Sequence, residues 1–267
     1  MTADVNLDRA RKESLKEAVL NRRMLICVFT GFASGLPLYL LFQMVPFWLR
    51  TEGVSLAAIG FFALVQFPYT WKFLWAPLMD RWVPPFLGRR RGWMLISQVA
   101  LLFSIGILGA YQPAQSTLVI AWVAVAVAFF SATQDVALDA YRREILPDVE
   151  LGLGNAIHVQ AYRISSLVPG SLSLVLADLL PWGSVFWITA AFMAVGIIMS
   201  LLVSEPETEL PPARNLVEAV VAPFREYLTR RGWSGWALML AFMFLYKLGD
   251  NMATALATPF YLDMGFS

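Results

Sequence analysis

Six charged residues stand inside stretches that are otherwise apolar enough to cross a lipid bilayer: Lys72, Asp135, Asp139, Arg163, Lys247 and Asp250. Each costs roughly 2.5–3.5 kcal/mol near the centre of a membrane helix, so such residues face a bundle interior or a watery cavity and find partners there. Three are basic and three acidic, so they can neutralise one another. Asp135 and Asp139 are four apart, which puts them a turn apart on one helix face. Two carboxylates so close do not readily carry both negative charges, which suits a proton carrier. Asp135 lies a turn deeper and is the proton-coupling candidate. Asp139, close to its span's end, also has a structural reading as partner for the arginines of a neighbouring loop. Gln134 can hydrogen-bond a substrate, but from another side of the helix. Lys247 and Asp250, three apart, share a face. They form either an intrahelical ion pair or a charge-relay pair along a path, which makes Asp250 a second proton-coupling candidate. Arg163 can grip a carboxylate or phosphate through two parallel hydrogen bonds. Arg163, Lys247 and Gln134 are the substrate-cavity candidates. Lys72, near a span end, is expected to snorkel to water, and His158 to pack at an interface.

Long apolar helices must position these residues. The chain is 58% hydrophobic and 15% charged, against about 25% charged in a soluble domain, and its mean hydropathy is +0.62. A membrane-spanning helix needs about 20 residues. Seven stretches meet this, near 24–49, 57–79, 93–111, 117–140, 153–177, 184–203 and 233–260. Lysine and arginine distribution orients them. With a cytoplasmic N-terminus, sixteen basic residues fall in the inside segments and one, Arg50, outside; the reverse topology is rejected. The charged tail 1–23 is no cleavable signal, because the apolar run after it is too long. The single cysteine, Cys27, excludes an internal disulfide and reads as a small packing residue. One histidine argues against a histidine metal site. No cofactor, no metal and no nucleic-acid partner is expected. Gly31, Gly35, Pro37, Pro169 and Gly170 mark close helix packing or kinks.

Between the second and third spans lies Asp80-Arg81-Trp82-Val83-Pro84-Pro85-Phe86-Leu87-Gly88-Arg89-Arg90-Arg91-Gly92, too polar to sit anywhere but in water. A longer connection, 204–232, opens acidic and proline-rich. It continues with Leu216, Val217, Val220, Phe224, Tyr227 and Leu228 at near-helical spacing, which reads as an amphipathic surface helix. The expected organisation is a cytoplasmic tail (1–23), a six-helix half (24–203), a cytoplasmic linker (204–232) and a seventh span (233–267).

Ala76-Pro77-Leu78-Met79-Asp80-Arg81 followed by Gly88-Arg89-Arg90-Arg91 resembles the loop between spans two and three of the major facilitator superfamily, Gly-x-x-x-Asp-Arg-x-Gly-Arg-Arg/Lys. Ala76 replaces the first glycine, and extra residues including Pro84-Pro85 lengthen the loop. That longer form, with Phe73 to Asp80, Ser131-Ala132-Thr133-Gln134-Asp135 and Leu245-Tyr246-Lys247-Leu248-Gly249-Asp250, resembles the AmpG-type muropeptide permeases. The resemblance implies an all-α integral membrane protein: a major facilitator-like bundle, here its first six-helix half plus span seven, the remainder of the second half being absent. It implies a proton-coupled importer of anhydro-muropeptides in a bacterial inner membrane, serving peptidoglycan recycling and linked to β-lactamase induction. Its partners would be an anionic small molecule, protons and the lipid bilayer, and it would not be an enzyme. The loop residues Asp80, Arg81, Gly88, Arg89, Arg90 and Arg91, with Asp139, would form a cytoplasmic latch.

Two other readings fit parts of the sequence. Acetyl-CoA-type carriers belong to the same broader group and also take an anionic solute. A metal-dependent membrane phosphotransferase also places Asp-x-x-x-Asp in a span. It requires an upstream Asp-Gly pair, which the chain lacks, and a glycine where Ser131 stands.

Overall fold

The structure is a computed structural model and describes residues 21–206, 225–226, 228–230 and 232–246. The chain divides into two compact units, Met1–Pro212 and Ala213–Ser267. Among the described residues all regular structure is helical.

In the first unit, Asn21 starts α1 (Arg22–Tyr39) by accepting the Met24 amide at 2.9 Å, which satisfies an end donor the helix cannot bond itself. A π-helical turn, Leu40–Met44, joins α1 to α2 (Val45–Thr51). The second span is a broken run: α3 (Leu56–Phe61), α4 (Phe67–Trp71) and α5 (Ala76–Arg81), linked by 3-10 turns. Pro68 and Pro77 stand in the first turns of α4 and α5, where a missing amide costs least. Then come α6 (Arg89–Leu108) and α7 (Pro113–Ile145). The fifth stretch holds α8 (Leu151–Ile164), a second π turn (Val168–Leu172) and α9 (Ser173–Ala177). The sixth is α10 (Trp182–Ala191) and α11 (Ala194–Leu202).

Four helical runs are long and apolar enough to cross a membrane: Arg22–Thr51, Arg89–Leu108, Pro113–Ile145 and Trp182–Leu202. They correspond to the first, third, fourth and sixth expected spans. Helix α7 runs several residues past its expected end because Arg142, Arg143 and Glu144 continue the helix beyond the apolar stretch; hydropathy registers the polarity but not the helix. In the second unit, Gly232–Tyr246 is an apolar helix, α12, at the start of the seventh expected span. Most of the expected amphipathic segment, and Lys247 and Asp250, lie outside the described residues.

The π turns have a sequence cause and a packing consequence. Pro37 lies one turn before the first, and Pro169 lies inside the second; a proline removes an intrahelical bond and lets the backbone widen. Leu36, Leu40, Met44 and Trp48 recur every fourth residue, and all are buried to 1% exposure or less. In an uninterrupted α-helix the first and last would point about 120° apart. The wide turn absorbs the surplus residue and keeps all four on the core, against Leu101, Ile105, Ile120 and Phe186. The two π turns pack against each other.

Helices α1 and α8 pack as closely as two backbones can. A Cβ on Gly31 would strike the His158 carbonyl, and one on Gly35 would strike the Tyr162 carbonyl and Ser165 Oγ. His158 Nδ1 and Thr30 Oγ1 hydrogen-bond across the same seam at 3.2 Å, which bears out its reading as an interface residue. Gly35→Val is expected to destabilise the purified protein by about 3 kcal/mol, because the obstacle is backbone. Gly152→Ala, where a Cβ meets open space, serves as control. Thermal unfolding in detergent checks the pair, and equal midpoints would refute the prediction.

Candidate functional site

Asp135 sits on α7 one turn below Ser131, and α1 supplies its only direct partner among the described residues: Ser34 Oγ donates to Asp135 Oδ1 at 2.6 Å. Asp135 is half-buried, so one hydrogen bond leaves part of its desolvation uncompensated and the surrounding charges also matter. Burial and the Ser34 bond act on Asp135 most strongly; among the charges, Lys72 from the broken second span comes first, followed by Asp139 and Arg142. Lys72 is half-buried and makes no ion pair with a described residue, so the snorkelling expectation stands beside its electrostatic reach to Asp135. The breaks in span two turn Lys72 and Tyr69 towards α7. Tyr69 and Tyr162, from spans two and five, complete the surroundings. The buried hydroxyls of Tyr69 and Ser131 lie beside each other and make no well-formed hydrogen bond with another described residue.

Gln134 is fully buried and donates from Nε2 to the Ala33 carbonyl at 2.8 Å. It clamps α7 to α1, on a different side of the helix from Asp135. Arg163, in the last turn of α8, is exposed on this unit. Asp135 and Arg163 are therefore not brought into contact. Ser34, Tyr69 and Tyr162 are not among the sequence candidates; a single hydroxyl carries no local signal of its own, and only their convergence on Asp135 marks them.

The second constellation is the loop latch. Leu87 and Gly88 both take left-handed backbone angles (φ 63° and 87°), and Gly88 precedes α6 as its N-cap. Gly is required there twice over, since a Cβ would also strike the Glu205 side chain at 2.7 Å. Glu205, just past the sixth span, accepts the backbone amides of Arg90 (2.7 Å) and Arg91 (3.0 Å). It thus caps α6 from a remote segment, with its negative charge at the positive helix end. Arg90 then ties three elements together. It donates from Nη1 to Asp80 Oδ1 at 2.5 Å, and from Nε and Nη2 to Glu144 Oε1 at 2.9 and 2.7 Å. Arg89 stands 3.8 Å from the same Glu144 oxygen. Arg91 donates to the Ser200 and Leu201 carbonyls at 3.0 and 2.8 Å, satisfying the last turn of α11. Tyr141 donates to the Ser204 carbonyl at 3.0 Å.

The latch partner differs from the sequence expectation. Asp139 does not meet the loop arginines; it accepts Arg142 Nη2 at 2.8 Å on its own helix, and Glu144 takes the loop. Arg81 ends α5 exposed and outside the network. The sequence reading places Glu205 in an acidic, proline-rich linker and gives it no capping role. The signal was an acid placed directly after a span, opposite a helix start carrying three arginines.

Spans in this order, with this loop, have known relatives. The major facilitator superfamily pattern matches residues 70–267. An uncharacterized protein of Haemophilus influenzae is 52% identical over 256 residues, covering 95% of this chain and 60% of the relative. The anhydromuropeptide permease of Escherichia coli K12 is 45% identical over 246 residues, covering 91% of this chain and 50% of the permease; that of strain O157:H7 matches equally. The chain thus spans 60% and 50% of the lengths of these curated relatives. The named ones are permeases, not enzymes, which sets the phosphotransferase reading aside. With helices as its only regular structure among the described residues, with long apolar spans and a superfamily pattern over most of its length, the chain is a multi-pass membrane protein that belongs to the major facilitator superfamily.

Proposed function

We propose that the complete gene product is a proton-coupled importer of anhydro-muropeptides in the bacterial inner membrane, with its N-terminus in the cytoplasm. The likeness to the Escherichia coli permease over 91% of this chain supports the substrate class. Sixteen basic residues against one support the orientation. The observation that carries the coupling mechanism is the half-buried Asp135 carboxyl, bonded to one hydroxyl and within electrostatic reach of Lys72. Asp135 takes the proton from the periplasmic side and releases it to the cytoplasm. While it is charged, Lys72 balances it; once it is protonated, that cation is free to attract a substrate carboxylate. Arg163, and Lys247 beyond the described residues, are further carboxylate partners, and Asp250 is a second proton candidate. The Arg90 network holds the cytoplasmic ends of spans two, three, four and six in one conformation.

Vesicles containing the complete gene product test this. Labelled anhydro-muropeptide should accumulate under an inward proton gradient and stop accumulating when a protonophore is added. Uptake indifferent to the protonophore refutes the coupling. Transport of acetyl-CoA in place of the muropeptide refutes the substrate assignment.

A further inference from the structure

A groove of about 400 Å³ runs between α1 and α11 on the outer side of the first unit. Met199 and Val203, buried to 5% and 6% exposure, form its floor. Leu25, Phe29, Ile198 and Leu202 stand exposed along its walls. Its lining on α1 runs from Arg22 to Phe29, about 10 Å of helix. The lining carries one charged residue, Arg22, at the end where the basic residues of the first unit collect.

The cations around that end are not equivalent. Arg23 bonds Glu150 at 3.4 Å. Arg91 lies across the Ser200 and Leu201 carbonyls. Arg89 and Arg90 are held by Glu144 and Asp80. The nearby acid, Glu205, is taken up by two backbone amides. Arg22 is exposed and makes no hydrogen bond or ion pair with any described residue. An apolar furrow along the first and sixth spans, ending in a guanidinium that no described residue engages, has the chemistry of one ligand: a phospholipid with an acidic head. A guanidinium can take two phosphate oxygens at once, and basic clefts between membrane helices hold acidic headgroups in this way.

We infer that the α1–α11 groove is a site for an anionic phospholipid, its acyl chain along Leu25, Phe29 and Ile198 and its phosphate on Arg22. The site lies outside the Asp135 cluster and does not rest on the transport reading. Bound lipid would wedge α1 against α11 at the end where Arg91 and Glu205 join α6 to the sixth span.

The test reconstitutes the full chain in vesicles of mixed phosphatidylethanolamine and phosphatidylglycerol, then extracts it mildly and quantifies retained lipid by mass spectrometry. Wild type should retain phosphatidylglycerol above its share of the bilayer. Arg22→Gln should lower that excess about fivefold, the size expected for one cation at an acidic surface, and Arg22→Lys should restore most of it. Val195→Trp, which fills the groove and leaves the charge, should also displace the lipid. Soluble glycerophosphate should not compete, because it lacks the acyl chain. Absence of enrichment, or enrichment equal in wild type and Arg22→Gln, overturns the proposal. So does a photo-crosslinker at Phe29 that captures residues 1–20 or a second copy of the chain instead of lipid.

Discussion

Asp135→Asn should reduce gradient-driven uptake by the complete gene product to background while leaving exchange of substrate across the membrane in place. The amide has the carboxyl's shape and can still accept from Ser34 Oγ, now 2.6 Å from Asp135, so the α1–α7 contact survives and only the exchangeable proton is lost. A carrier locked in its protonated form still turns over when substrate is bound on both sides. Proteoliposomes separate the two behaviours: accumulation under a proton gradient, against counterflow without one. Accumulation at wild-type rate would remove Asp135 from the mechanism; loss of both activities would show a structural role instead. Ser34→Ala should do less, because one hydrogen bond contributes about 1 kcal/mol.

Arg90→Glu should have the largest effect on stability of any single change in the loop. The Arg90 side chain is 12% exposed and bonded to Asp80 and Glu144. Reversal leaves three carboxylates facing one another at the junction of α5, α6 and α7. Removing one member of a buried pair costs about 3–5 kcal/mol. The purified protein should melt correspondingly earlier, and Arg90→Glu with Glu144→Arg should recover part of the loss. Arg90→Lys should fall between, since an ammonium is a point charge and cannot reproduce the guanidinium fork. An Arg90→Glu protein that melts with wild type would show the network to be incidental.

How far the sequence reading reached differs between these two sites. The loop declared itself because a dense run of arginine, proline and glycine between apolar stretches has one physical location, water. Its partner could not be read. Asp139 and Glu144 are five residues apart and so point about 140° apart around one helix; which of them meets Arg90 depends on how α7 is rotated in the bundle. No local pattern carries that rotation. Asp135 was legible as a charge in the wrong solvent, but its surroundings were not. Lys72 comes within electrostatic reach of it only because span two is broken into short helices, and the prolines at 68 and 77 permit those breaks without fixing their direction. Pro37 and Pro169 did mark where the first and fifth spans are irregular, since a missing amide is a local fact that tertiary packing cannot repair.

The widened turns at Leu40–Met44 and Val168–Leu172 change how experiments along these spans are interpreted. Each inserts a residue without adding a full step of rotation, so the angular count restarts after it, displaced by about 100°. A cysteine-accessibility scan through the first span should show one rhythm up to Tyr39 and the same rhythm out of phase from Val45 onward. Helical wheels drawn across the whole span would place Trp48 on the wrong side.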